Sequence, residues 1–389
     1  MFYELAASSW GEEELDAIQR VIASDRFTIG QNVANFEEEF AAYHGRRHCV
    51  MVNSGSSANL VGIAALAFKQ GHPLKPGDEV IVPAIAWATT YYPLLQYGLR
   101  LRFVDVESDT LNMDVSQLEK ALTPKTRMVM GVSILGNPAA LDTMRQFCDA
   151  HDLHFFEDNC ESMDAELDGK KAGTFGDIST FSTFFSHHIS TMEGGMITTD
   201  DEELFHLCKS LRSHGWTRDI PENSPICPPK QDDFSEAYRF ILPGYNVRPL
   251  ELSAAIGLEQ IKKLPAMTSR RRKNLALFQK LFSGDNRFEI QRENGASSSF
   301  CFTVILNTDV TPSRDTVMVA LKEADIGFRM ITGGCFPRHD VIKYFDYDCL
   351  DDLPNANRAH DHGFFVGNHP FDLTPQITRL HEVLTKTCA

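Results

Sequence analysis

The stretch STFFSHHISTMEGG, Ser182 to Gly195, is small and polar between two hydrophobic runs, and it places two imidazoles side by side at His187 and His188. Imidazole titrates near neutrality, so it suits work as a general base and acid. Ser182 and Ser186 add hydroxyls to the same segment. A metal site is the obvious rival. Adjacent side chains do not readily face one ion, and neither histidine sits in an HxH or HxxxH spacing, so no metal is expected. For either histidine alone, a structural role in the core is the competing reading.

Three further features carry chemistry. In NSGSSAN, Asn53 to Asn59, a strand runs into a small-residue turn that opens a helix. Such a turn leaves backbone N–H groups free and adds the helix dipole, which suits a phosphate at Gly55 and Ser56; many ordinary strand–helix turns look the same. FFEDN places Asp158 at the C-terminal end of an apolar strand, where open α/β sheets bind ligands, with Glu161 close behind. A carboxylate there can hold a pyridinium ring protonated as an electron sink, or simply cap the next helix. Trp87 follows another strand in VPAIAWATTYY, where its ring can stack on a flat cofactor or fill a core or interface.

The elements that must position these residues are legible as alternation. CVMVNS, DEVIVPAI, LRFVDV, RMVMGVSIL and LHFFEDN read as buried strands. GSSANLVGIAALAF, DVSQLEKAL and ALDTMRQFCDAH read as helices between them, and MITTDDEELFHLCKSLRSHG continues with strand and helix. This is the grammar of a mainly parallel α/β sheet covered by helices. The proline-rich, acidic stretch from Thr217 to Phe234 reads as a long loop. LPGYNVRPLELSAAIGLEQIKKL is expected to return to helix, and SRRRKN to form a solvated helix face. The expected division is a large cofactor-binding domain over residues 1–250 and a smaller α+β domain over 251–389.

The formal net charge of -16 argues against non-specific nucleic-acid binding. No apolar run is long enough to span a membrane, and no basic-then-apolar leader opens the sequence, so a cytoplasmic location is expected. The nine cysteines are scattered and none lies in CxxC, which suits reduced thiols.

Taken in order, SGSSAN, VP-x3-W, ED-x2-E, STFFS-H-H-x4-EGG and GYN-x-RPLE-x2-AAIG resemble the sugar aminotransferases of the DegT/DnrJ/EryC1/StrS family. The match covers nearly the whole chain and is weakest toward the C-terminus. The resemblance implies an aspartate-aminotransferase-like (fold type I) architecture, with a large, mainly parallel mixed sheet flanked by helices. It implies pyridoxal 5'-phosphate or pyridoxamine 5'-phosphate as cofactor. In the family a lysine that holds the cofactor covalently stands at the position of His187, five residues after Ser182 and six before Glu193. No lysine lies between Lys171 and Lys209. That departure is similar to a subgroup of pyridoxamine-phosphate-dependent sugar 3-dehydratases, in which a histidine replaces the lysine. A related branch carries an iron–sulfur cluster on closely spaced cysteines, which this sequence lacks.

The lysine of an aminotransferase both holds the cofactor and shuttles protons. Without the amine the first task is lost, and an imidazole can still perform the second. The resemblance therefore implies His187 as catalytic base, and Gly55, Ser56, Trp87, Asp158, Glu161, Ser182, Ser186 and Asn246 as cofactor-binding residues. It implies His214, Arg218 and Arg329 as substrate-binding residues. The implied substrate is a nucleotide-linked 4-keto-6-deoxyhexose, GDP-linked with the mannose configuration, and L-glutamate is the implied amino donor. A homodimer with shared sites is implied, with Asn246 reaching the neighbouring subunit's phosphate. The rivals are a 4-aminotransferase of the same fold and a catalytically dead homologue that only binds.

Overall fold

Short β-branched and aromatic runs, each ended by a turn-forming residue, become the strands. In this computed structural model, residues 2–221, 223–228 and 232–389 are described. The first strands are β1 (His48–Val52), β2 (Glu79–Pro83), β3 (Arg100–Val104), β4 (Thr126–Val132) and β5 (His154–Asp158). A small hairpin, β6 (Glu166–Leu167) and β7 (Lys170–Lys171), precedes β8 (Ile178–Ser182) and β9 (Gly195–Thr199). The later strands are β10 (Phe288–Glu289), β11 (Cys301–Leu306), β12 (Phe328–Arg329), β13 (Tyr347–Cys349) and β14 (Gly363–Gly367).

One sheet has the spatial order β1-β9-β8-β5-β4-β2-β3-β13. β9 runs against both its neighbours. The other pairings in this sheet are parallel. Hence β1, β2, β5 and β8 all finish at one edge, and the chain delivers Ser54, Trp87, Asp158 and Ser182 there. This is the expected large, mainly parallel mixed sheet. The second sheet, β10-β11-β14-β12, is antiparallel and smaller.

The helix Glu251–Phe282 connects the two layers. Its first half packs Ala254, Ile261 and Leu264 against Val33, Phe36 and Phe40, and its second half packs Leu275, Phe278 and Phe282 with the small sheet. The expected domain border at residue 250 falls at the start of this shared helix, and β13 returns to pair with β3 in the large sheet. The buried Glu251 carboxylate also caps the neighbouring helix Gln31–His44, accepting from the amides of Gly30, Asn32 and Val33 at 2.7, 3.0 and 2.9 Å.

Three local expectations are corrected. The stretch before Glu251 is not helical. Pro243 and Pro249 disfavour helix there, and the chain instead runs beside the large domain, with Val247 O accepting from Asn53 N at 3.0 Å and Leu211 O from Tyr245 N at 2.7 Å. DVSQLEKAL forms only a 3-10 turn and the short helix Leu118–Ala121. SRRRKN is not a solvated face throughout: Arg271 is 4% exposed and donates to the carbonyls of Phe300 and Asn368, because the helix is sandwiched here between two packed layers. The Thr217–Phe234 stretch is mostly turns where described; residues 222 and 229–231 lie outside the described residues. Among the described residues no helix is long and apolar enough to cross a membrane.

Strand periodicity separates two neighbouring carboxylates at the end of β5. Glu157 turns away from the ligand-binding side and accepts from the amides of Gly173, Phe175 and Gly176 at 2.7, 2.6 and 2.5 Å. Glu157→Gln would turn an amide donor toward these donors. It is predicted to lower unfolding stability by about 2–4 kcal/mol. Urea denaturation measures this, and an unchanged midpoint would contradict the assignment.

Candidate active site

The edge where β1 and β8 finish is a tight junction. Val52 and Ser182 both pair with Gly195, from opposite sides. A side chain at Gly195 would collide with the Ser54 carbonyl, and one at Gly55 would lie 2.7 Å from Ser182 Cβ and 3.0 Å from Cys160 Sγ. The glycines of EGG and SGSS thus allow these segments to touch. Ser54 Oγ caps the helix Gly55–Phe68 by accepting from Ser57 N at 3.1 Å. The amides of Gly55 and Ser56 belong to the first turn, before helical acceptors begin, and a Cβ at Gly55 would lie 3.1 Å from the Ser182 hydroxyl oxygen. Ser56 Oγ meets Thr89 Oγ1 at 2.8 Å, tying the turn to the start of the helix Ala88–Gln96. Trp87 is the residue preceding that helix and is 59% exposed, which rules out the core reading.

Asp158 is buried at the end of β5. Its Oδ2 accepts from Asn59 Nδ2 and from Thr90 Oγ1, both at 2.8 Å, and its Oδ1 accepts from Cys160 N at 3.1 Å. Three donors thus fix the orientation of the carboxylate. Glu161 is different. Its Oε2 accepts from Leu135 N at 2.9 Å and Thr332 Oγ1 at 3.3 Å, and desolvation, with the nearby Asp158 charge, raises its pKa to about 7. Both partners hold left-handed backbone conformations, Leu135 at φ 58° and Thr332 at φ 39°. Such strain in a leucine and a β-branched threonine is worth noting because it recurs at functional sites.

The segment bearing the histidines is a loop closed at its base. Thr183 N donates to Gly194 O, Thr191 N to Thr183 O and Phe185 N to Met192 O, at 2.8 to 3.0 Å. His187 Nδ1 lies 2.5 Å from Cys160 O. A carbonyl only accepts, so in the neutral ring Nδ1 carries the hydrogen and Nε2 keeps its lone pair. Desolvation, aided by the buried Arg271 guanidinium, lowers the His187 pKa to about 4, against the opposing effects of the Cys160 hydrogen bond and Asp158. His187 therefore stands neutral at physiological pH, with a free basic nitrogen. His188 points elsewhere: it is buried, its Nε2 lies 3.3 Å from Ser298 O, and burial holds its pKa far down. The Phe300 ring packs against both imidazoles, with centroids 5.0 and 5.8 Å away.

The fold thus brings Gly55, Ser56, Asp158, Glu161, Ser182, Ser186 and His187 to one edge, with Trp87 at its rim. His214 and Asn246 form a neighbouring group: His214 N donates to Tyr245 O at 2.6 Å, and exposed Asn246 bridges with Ser213. Arg218 is exposed on the same stretch as His214. Arg329, exposed at the end of β12, lies three residues before the Thr332 that meets Glu161. Asn59, Thr90, Cys160, Arg271 and Phe300 escape sequence reading. Asn59 lies inside the quoted SGSSAN motif, but its role depends on Asp158, far away in the chain.

First-turn amides and serine hydroxyls suit a phosphate, and the held Asp158 carboxylate suits a ring N–H. The lysine position carries an imidazole. These residues fit a non-covalently held pyridoxamine-type cofactor.

The chain is 50% identical to the GDP-4-keto-6-deoxy-D-mannose 3-dehydratase of Yersinia pseudotuberculosis, over 99% of this chain and 98% of that protein. A solved mutant structure of GDP-4-keto-6-deoxymannose-3-dehydratase with bound GDP-perosamine is 47% identical, with TM-score 0.96, covering 98% of this chain and 100% of that one. The same enzyme with a trapped PLP-glutamate geminal diamine is 48% identical, also with TM-score 0.96 and coverage of 98% and 100%. A family match extends over residues 8–381, and the chain belongs to the DegT/DnrJ/EryC1/StrS aminotransferase family.

Proposed function

We propose that this chain is a pyridoxamine-phosphate-dependent sugar 3-dehydratase. It removes the C3 hydroxyl of a nucleotide-linked 4-keto-6-deoxyhexose, GDP-4-keto-6-deoxy-D-mannose, and L-glutamate restores the amine of the cofactor. The observation that carries the reading is His187, an imidazole with a fixed tautomer where the family places its lysine. The dehydratase names and the bound GDP-sugar and glutamate adduct of the similar proteins support it.

When bound, the cofactor supplies a primary amine for the sugar C4 carbonyl and an electron-poor ring. The chain supplies the rest. The Gly55–Ser56 turn and Ser182 would bind its phosphate, Trp87 would stack on its ring, and Asp158 would accept from its ring N–H. Ser186 precedes His187 in the chain, and Glu161, held by Leu135 N and Thr332 Oγ1, would help to hold the cofactor. His187 Nε2 accepts a proton and, once charged, returns it to the departing C3 oxygen. An imidazole with a low pKa is a weak base but a strong acid in its charged form, which suits a poor leaving group. Overall, the sugar loses its C3 oxygen while glutamate becomes 2-oxoglutarate and ammonia.

His214, Arg218 and Arg329 are proposed to contact the substrate. A homodimer is also proposed, with Asn246 reaching the neighbour's phosphate; the exposure of Trp87, Phe184, Phe185 and Met192 around the site supports a covering subunit. A cytoplasmic location accords with the nine free cysteines.

The functional test combines the protein, glutamate and the GDP-linked 4-keto sugar. A 3-deoxy-4-keto product with ammonia and one 2-oxoglutarate per turnover is expected. A 4-amino sugar that keeps its C3 oxygen would select the aminotransferase reading instead. Borohydride treatment followed by intact-mass measurement should reveal no pyridoxyl group on the chain.

His187→Asn should lower kcat/KM by about 10²–10⁴ while cofactor still binds, since the binding contacts come from other residues. His188→Asn should act mainly on stability. Steady-state kinetics and cofactor titration on both variants check the assignment, and a lethal effect confined to His188→Asn would reverse it.

Glu161 gives a pH signature. Its folded pKa is raised from 4.5 to about 7, so its stabilising contribution is complete below the lower value and lost as pH rises through the upper one. Glu161→Gln mimics the protonated form at every pH. In cofactor-free protein, the melting temperature of the variant should increasingly exceed that of wild type between about pH 5 and about pH 8. Parallel melting curves across that range would contradict a protonated Glu161.

A further inference from the structure

We propose that Asn59 and Thr90 are positioning residues that select which oxygen of Asp158 is offered to the cofactor ring nitrogen. The inference rests on the reading of the site as a pyridoxal-type cofactor site, and it concerns groups on three separate elements.

Asn59 lies in the helix Gly55–Phe68, Thr90 in the first turn of the helix Ala88–Gln96, and Asp158 at the end of β5. All three are nearly inaccessible, at 2%, 1% and 4% exposure. The Asn59 amide and the Thr90 hydroxyl both donate to Oδ2, at 2.8 Å each. A carboxylate oxygen has about two acceptor directions, so Oδ2 is filled. Oδ1 has one backbone donor, Cys160 N at 3.1 Å, with the Cys160 thiol, a weak donor, also beside the carboxylate. The remaining strong acceptor direction therefore belongs to Oδ1.

The orientation of Asn59 is itself fixed. Thr180 Oγ1 donates to Asn59 Oδ1 at 2.6 Å, which leaves the amide nitrogen to face Asp158, with a longer contact of 3.4 Å to Thr89 O. A relay from Thr180 on β8 through Asn59 thus reaches the carboxylate. The two donors on Oδ2 fix the rotation of the carboxylate and leave Oδ1 to face the ring nitrogen. Neither residue need touch the cofactor.

The test uses full-length protein and pyridoxal 5'-phosphate labelled with 15N at the ring. Cofactor dissociation constants and the 15N shift of the ring nitrogen are recorded across pH for wild type, Thr90→Val, Thr90→Ser and Asn59→Leu. Wild type should bind with a protonated ring nitrogen. Thr90→Val and Asn59→Leu should each weaken binding about tenfold and lose the ring proton at lower pH. Thr90→Ser keeps the hydroxyl and should stay within about twofold of wild type. If wild type does not bind the cofactor, the cofactor reading itself fails. If wild type binds and folded Thr90→Val keeps the same ring titration, the inference is overturned. Equal losses in Thr90→Val and Thr90→Ser would trace the effect to packing and overturn it too. Should Asn59→Leu fail to fold, the Thr90 pair decides alone.

Discussion

The hydrogen bond between His187 and the Cys160 carbonyl is the contact on which the site depends. It decides which nitrogen of the ring carries the hydrogen and so which one is free to act. The same Cys160 residue donates its amide to Asp158. One residue therefore sets the positions of two groups that come from different elements, the His187 imidazole on a loop and the Asp158 carboxylate at the end of β5. Cys160 is read through its backbone, which explains why its side-chain identity carries no hint of this part.

Charge around the site is graded by burial. Arg271 is buried with carbonyl acceptors, and desolvation lowers its pKa to about 10. Its field disfavours a second cation at His187 or His188. Asp158 sits among three donors, whereas Glu161 has two and desolvation raises its pKa to about 7. Two acidic side chains three positions apart thus stand in different surroundings.

Much of this was legible in the sequence because it is local. The strands are short apolar runs with clear ends, and the β1, β5 and β8 turns carry small or acidic residues at fixed offsets. The lysine-to-histidine departure could be read through the family resemblance, by setting Ser182 and Glu193 to Gly195 against the family's segment. The parts that could not be read are non-local. Arg271 looked solvated because basic runs usually are, and only the two layers packed around its helix bury it. The stretch around Tyr245 looked like a helix start because RPLELSAAIG is helical from Glu251 onward, while the preceding prolines send the chain along Arg212 and Asn53. The Asn59–Asp158 contact joins positions distant in the chain, and no periodicity records it.

The alternation at Glu157 and Asp158 has a consequence for how this site can change over generations. Because neighbouring side chains of a strand face opposite ways, inserting one residue in β5 would move Glu157 into the place of Asp158 and Phe156 into the place of Glu157. The loop at Gly173–Gly176 would then lose its acceptor, and the ligand edge would receive a glutamate one methylene longer. Length variation in this strand would therefore disturb two sites at once. The structural carboxylate acts as a ratchet that keeps its neighbour in register with the chemistry.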